Sequence, residues 1–197
     1  MRLNTPCDAI EFATHDINGN PISLSGYKNK AVVLCFFRDV ARPLRNKRVF
    51  ELTRNYKAWQ KVGVEVVVVF SQQQKDVFAF FSKHPRPFPV IADPELELYS
   101  KYGIERVIGK STTSPLLKLP KILDKVFRGN LARLNPVGRI MPAEFLINFD
   151  GVVVESWYGH NELDHIPFKR LERFVMAMRV EIRKRVLSES SEVNTLV

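Results

Sequence analysis

Two almost unbroken apolar runs dominate the pattern of the chain, Ala31–Phe37 (AVVLCFF) and Val64–Phe70 (VEVVVVF). Both are rich in β-branched and aromatic residues, the mark of strands buried on both faces. Between them Val49, Leu52, Tyr56 and Trp59 recur at helical spacing, so a helix with one apolar stripe is predicted, ended by Gly63. Pro43 suits the first turn of that helix. The order is β-α-β, which implies a parallel strand pair joined by a right-handed crossover.

Shorter patterns flank this unit. His15–Ser25 carries the turn signal Asn18-Gly19-Asn20-Pro21 between short apolar segments and reads as a hairpin. Asp76–Lys83 is predicted helical, stopped by prolines at 85, 87 and 89, and Phe88–Ile91 is a short strand. Asp93-Pro94 opens a helix over Glu95–Tyr102, closed by Gly103. Glu144–Asn148 and Val152–Trp157 flank Asp150-Gly151, a strong hairpin signal. Ile166–Val186 is an amphipathic helix, with Phe168, Leu171, Phe174, Val175, Met178 and Ile182 on its apolar side. Ser188–Val197 is expected to fray. The whole predicts one α/β domain over residues 1–187: a central mixed sheet, helices on both faces and an N-terminal hairpin.

One segment breaks the alternation. Residues 104–139 read as an insertion holding Arg106, Lys110, Lys118, Lys121, Lys125, Arg128, Arg133 and Arg139 against Glu105 and Asp124. Leu116, Leu119, Ile122, Leu123, Val126 and Phe127 mark an amphipathic helical stretch there, interrupted by Pro120. A solvated basic face is the plain reading. A contact with an anionic membrane surface is the sharper one. Nucleic acid is disfavoured, because no exposed aromatics are interleaved for base stacking.

Charge and composition then narrow the field. Among 197 residues, 30 are Lys or Arg and 21 are Asp or Glu, a formal charge of +9 that favours an anionic ligand, surface or partner. Two cysteines in this length exclude a disulfide scaffold, and the spacing of Cys7 and Cys35 fits no CxxC or zinc pattern. The first residues lack an apolar run of the secretory kind, and no run reaches the ~20 residues of a membrane helix, so a cytoplasmic protein is expected. His84, His160 and His165 lack a third ligand at metal spacing and are read as solvated or hydrogen-bonded loop residues. No motif demands a cofactor.

Several stretches together resemble the peroxiredoxin-like branch of the thioredoxin superfamily, of the alkyl hydroperoxide reductase/thiol-specific antioxidant type found in bacteria. Asn18–Ser25 (NGNPISLS) is similar to the lead-in "DGxPVSLSD", and Ala31–Arg38 to the first core strand ending in "FFR". Pro142–Ile147 (PAEFLI) with Asp150-Gly151 resembles "PAxFLIDxDG", and Asp164–Phe168 (DHIPF) resembles the C-terminal stretch of one bacterial subgroup. The resemblance implies a thioredoxin-like fold and thiol-dependent antioxidant or oxidoreductase chemistry. It also implies a cis-proline at Met141–Pro142 facing the helix that follows the first core strand.

The same resemblance exposes a departure. Where the family reads "FR-YAG-CPFC-NLRVHEL", this chain runs without a gap through Phe37-Arg38-Asp39-Val40-Ala41-Arg42-Pro43-Leu44-Arg45-Asn46-Lys47-Arg48-Val49-Phe50-Glu51-Leu52. Pro43 is kept, and Arg42 and Arg45 stand at the two cysteine positions. A helix N-terminus stabilises a thiolate there, whereas arginine stays protonated and is no nucleophile.

The expected function is therefore a redox-inactive binding module. An anionic small molecule or an acidic protein would dock on the helix N-terminus beside Arg38, Arg42 and Arg45. Asp39 and Glu51 are the acids that could quench those cations. The alternatives are a thiol peroxidase or oxidoreductase using Cys7 or Cys35, and a basic surface binder. Cys35 is expected in the core, Cys7 at the start of an edge strand, and a homodimer is compatible with the sequence.

Overall fold

The computed structural model describes residues 2–40, 47–104, 106–107 and 139–195. The chain divides into two compact units, Met1–Ile104 with Met141–Val197, and Glu105–Ile140.

Among the described residues of the first unit the central sheet has six strands, in the order β1 (Cys7–Asp8), β10 (Val152–Tyr158), β9 (Ala143–Ile147), β4 (Ala31–Phe37), β5 (Val64–Phe70) and β6 (Val90–Ala92). The apolar runs form its middle as β4 (Ala31–Phe37) and β5 (Val64–Phe70), every residue of both buried. They pair in parallel, Ala31 opposite Val64 and Phe37 opposite Phe70. The link between them is α1 (Lys47–Gln60), whose Val49, Leu52, Tyr56 and Trp59 are buried as their spacing predicts. Gly63 follows at φ +76°, a left-handed turn that glycine adopts without strain.

The remaining strands extend this frame on both sides. The three-residue β6 (Val90–Ala92) adds to β5 in parallel. Opposite it, β9 (Ala143–Ile147) pairs antiparallel with β4 and with β10 (Val152–Tyr158). Gly151 at φ +77° turns the β9–β10 hairpin. Cys7–Asp8 forms the edge strand β1 beside β10, at the sheet edge as expected. The lead-in hairpin is β2 (Ala13–His15) with β3 (Pro21–Ser23), and Asp16 fastens its turn by accepting the Asn18 and Asn20 amides at 2.9 and 2.8 Å.

Helices cover both faces. α1 shares one core cluster with Leu171, Phe174 and Val175 of α4 (Phe168–Thr195) and with Val77 and Phe81 of α2 (Gln74–Phe81). On the other face Tyr99 of α3 (Glu97–Lys101) and Tyr102 beyond it pack on Phe36 at ring separations of 4.9 and 5.4 Å. Asp93 caps α3 by accepting the amides of Glu97 and Leu98 at 3.0 and 2.8 Å.

α4 is longer than the pattern predicts: it continues through the expected fraying point at Ser188 to Thr195. No glycine or proline interrupts that stretch, so nothing in it breaks the helix once the docked part is formed.

The second unit contributes a two-stranded antiparallel ladder, β7 (Arg106–Val107) with β8 (Arg139–Ile140). The helical stretch expected inside the 104–139 insertion lies outside the described residues. Among those residues, no helix is long and apolar enough to cross a membrane.

Candidate functional site

In a parallel β-α-β unit the backbone turns from strand into helix at the carboxyl end of the sheet, where ligands gather in open α/β folds. Here that place is the end of β4. Phe37 and Arg38 run alongside Ser71 at the end of β5, whose hydroxyl donates to the Arg38 carbonyl at 2.9 Å. The Val40 amide donates to the Gln72 side-chain oxygen at 2.6 Å, which fixes the backbone entering the site.

Arg38 is half-exposed and reaches Glu162 at 3.4 Å, so part of its field is already compensated. Arg42, Arg45 and Pro43 lie outside the described residues. Glu51, one of the acids able to quench the arginines, contacts Lys47 at 3.7 Å and Arg48 at 3.2 Å.

Beneath this end lies a buried polar cluster that sequence reasoning missed. Glu144, 1% exposed, sits on β9 opposite Cys35 in the β4–β9 register and shares its face of the sheet. Arg48 of α1, 3% exposed, brings Nε to 2.8 Å from Glu144 Oε1, and His165 brings Nδ1 to 3.0 Å from the same oxygen. Neither contact has hydrogen-bond geometry. Glu144 Oε2 accepts the Ile166 amide at 3.0 Å, and Arg48 Nη2 donates to the Ile166 carbonyl.

The cluster thus clamps residues 165–166 between β9 and α1. The His165 ring packs on Phe37 at 5.6 Å, and its buried Nε2 has no hydrogen-bond partner among the described residues. His165 lies in a loop, as its sequence context suggests, but its ring is largely buried and not solvated. His160 does fit that reading, being exposed and 3.1 Å from Asp164.

A signal for the cluster was present. Glu144 is the one acid within the run Ala143–Ile147, and Arg48 falls on the inward stripe of α1, four residues before Leu52. A charge inside an apolar strand demands a buried partner.

The thiols are placed clearly. Cys35 is fully buried, and burial pushes its thiol well above the ordinary value; Glu144 adds to the rise and Arg48 opposes it. It stays a thiol and behaves as a small core hydrophobe. Cys7 is a half-buried free thiol on β1, separated from β4 by β10 and β9.

The cis-proline expectation is corrected. Among the described residues the cis peptide is Thr5–Pro6, and Met141–Pro142 is not cis. The trans isomer is the lower in energy for an X–Pro bond. Here Pro142 takes its place in the hairpin by accepting the Gly159 amide at 2.8 Å. Among the described residues no three His, Cys, Asp or Glu side chains are grouped to hold a metal ion.

Known proteins share this fold. Peroxidoxin BcpB from Mycobacterium tuberculosis superposes with a TM-score of 0.64 at 16% identity, over 91% of this chain and 98% of that one. In sequence, the thiol-disulfide oxidoreductase ResA of Bacillus subtilis is 28% identical over 117 residues, 59% of this chain and 65% of that protein. Chloroplastic peroxiredoxin Q of Sedum lineare is 29% identical over 93 residues, 47% of this chain and half the length of that protein. The model of the AhpC/TSA family matches residues 6–156, from the residue before β1 into β10. That match takes in the β4–α1 junction and the strand bearing Glu144, and on it the chain belongs to the AhpC/TSA family.

Proposed function

We propose that this chain is a redox-silent member of its family. It binds an anionic group, a carboxylate or phosphate on a small molecule or an acidic protein, at the end of β4. Arg38, Arg42 and Arg45 supply the positive charge, with the helix N-terminus adding its own field. One observation carries the reading: neither of the chain's two thiols stands at the β4–α1 junction. Cys35 is sealed inside the core, and Cys7 is on the far edge strand. Arginine at positions 42 and 45 fills the sequence positions that carry the thiols in the family pattern.

Two measurements on the full chain test it. A peroxide-consumption assay with dithiothreitol is expected to show no turnover above background. Calorimetric titration with inorganic phosphate and with a dicarboxylate is expected to show binding that Arg42→Ala with Arg45→Ala removes. Binding unchanged in that double variant overturns the reading.

The second reading is a thiol-dependent peroxidase working through Cys7. It has in its favour a free, half-buried thiol and relatives that bear peroxiredoxin names. Peroxide turnover lost in Cys7→Ser would establish it and sink the first.

A further inference from the structure

The outward face of α4 carries an apolar ridge set among cations. Met176, Val180 and Leu187 are 56%, 53% and 70% exposed, although the inward face of the same helix already buries Leu171, Phe174 and Val175 in the core. Their spacing, four residues and then seven, places them on one stripe about three turns long. Arg173, Arg179, Arg183 and Lys184 flank that stripe, all exposed, with Lys169 at its start and Glu172 the one exposed acid among them. The other two cations of this stretch are held in ion pairs, Arg170 with Glu155 at 2.9 Å and Arg185 with Asp150 at 2.8 Å. The flanking five make no ion pair among the described residues.

We infer that this face docks on an anionic lipid surface, lying in the interface plane. Charge complementarity selects that occupant. A second copy of α4 would bring the same excess, five exposed cations to one exposed acid, against this face, a net repulsive arrangement. A bilayer rich in anionic headgroups answers the five cations, while its acyl boundary receives the Met, Val and Leu side chains. Neither half suffices alone: the ridge is too narrow to bind neutral lipid, and the cations without it would give only salt-sensitive adsorption. The surface is separate from the β4–α1 junction and does not rest on the function proposed there.

Sedimentation of the full chain with vesicles tests the assignment, comparing pure phosphatidylcholine with an equal mixture of phosphatidylcholine and phosphatidylglycerol. Binding to the mixed vesicles alone is expected. Arg183→Glu with Lys184→Glu should weaken it by roughly thirty-fold or more, the factor that the loss of two surface-facing cations implies. Met176→Gln with Val180→Gln should weaken it several-fold at unchanged charge. All four side chains are exposed, so the variants should melt like the parent, and a melting curve confirms that they fold. Equal binding to neutral vesicles, no binding at low salt, or parental binding by both variants overturns the proposal. The last outcome would assign lipid binding to another basic segment. Loss of a homodimer in the apolar variant, or capture of an acidic helical peptide without vesicle binding, overturns it too.

Discussion

Replacing Arg48 by methionine isolates the buried cluster under the β4–α1 junction. Methionine keeps most of the volume and apolar stem of arginine, so the principal loss is electrostatic. Glu144 would keep the Ile166 amide at 3.0 Å and the contact with His165 at 3.0 Å, but it would lose the guanidinium at 2.8 Å. The Ile166 carbonyl would lose its donor as well. Removing one partner of a buried ion pair costs about 3–5 kcal/mol, against a total stability of about 5–15 kcal/mol for a typical domain. With a urea slope of roughly 2 kcal/mol per molar, the unfolding midpoint should fall by about 2 M. Pairing Arg48→Met with Glu144→Leu should restore about 2 kcal/mol or more of that loss. The double variant no longer buries a lone carboxylate, although the Ile166 amide is then left unpartnered. Urea denaturation followed by tryptophan fluorescence measures Arg48→Met, Glu144→Leu alone and the double variant. A midpoint shift below about 0.5 M for Arg48→Met, or costs that simply add in the double variant, would refute the view of the cluster as one coupled unit.

Three further outcomes are expected. Gly159→Ala puts a Cβ 2.5 Å from the Asp164 carbonyl and 3.0 Å from Pro142, backbone and ring that cannot yield, so it should cost about 1–3 kcal/mol and disturb the near-ultraviolet signal of Trp157, which donates to Asp164 at 3.1 Å; an unchanged melting temperature would refute this. In the folded protein a maleimide should label Cys7 alone, with Cys35 reacting only after unfolding; mass spectrometry of the digested chain distinguishes them, and equal rates would contradict the burial of β4. The Tyr27 phenol is raised from 10.0 to about 12, chiefly by burial and then by Glu65 and Asp16, so its stabilising difference is intact below pH 10 and is lost progressively as pH rises to about 12. Buried Tyr56, Tyr99 and Tyr102 are raised for the same leading reason and should deepen that alkaline loss, which denaturation across pH 9–12 checks.

Much of the fold could be read from short-range pattern, and the reason is visible in particular residues. The runs at 31–37 and 64–70 lie in the sheet interior, where burial on both faces leaves no alternation to misread. Asp150-Gly151 names its own turn, because the positive φ at Gly151 is a local requirement. The Glu144–Arg48–His165 cluster was hidden because its members come from a strand, a helix and a loop far apart in the chain, and only the packing of α1 and the 165–166 segment on β9 brings them together. Pro142 misled for a different reason: the resemblance supplied its isomer, and no feature of the local residues required it. α4 outlasts its apolar stripe because a helix continues until a residue stops it, and no glycine or proline does so before Thr195.

The two margins of the central sheet set a boundary on self-association. One ends in a strand of two residues preceded by Pro6, the other in a strand of three preceded by prolines at 85, 87 and 89. Where β10 outruns the short β1 beside it, the irregular register between Val153 and Glu155 bends the strand. Among the described residues little straight backbone at either margin of this sheet is left for a neighbouring molecule to extend, so growth into fibrils by strand addition there is discouraged by the outline of the sheet itself.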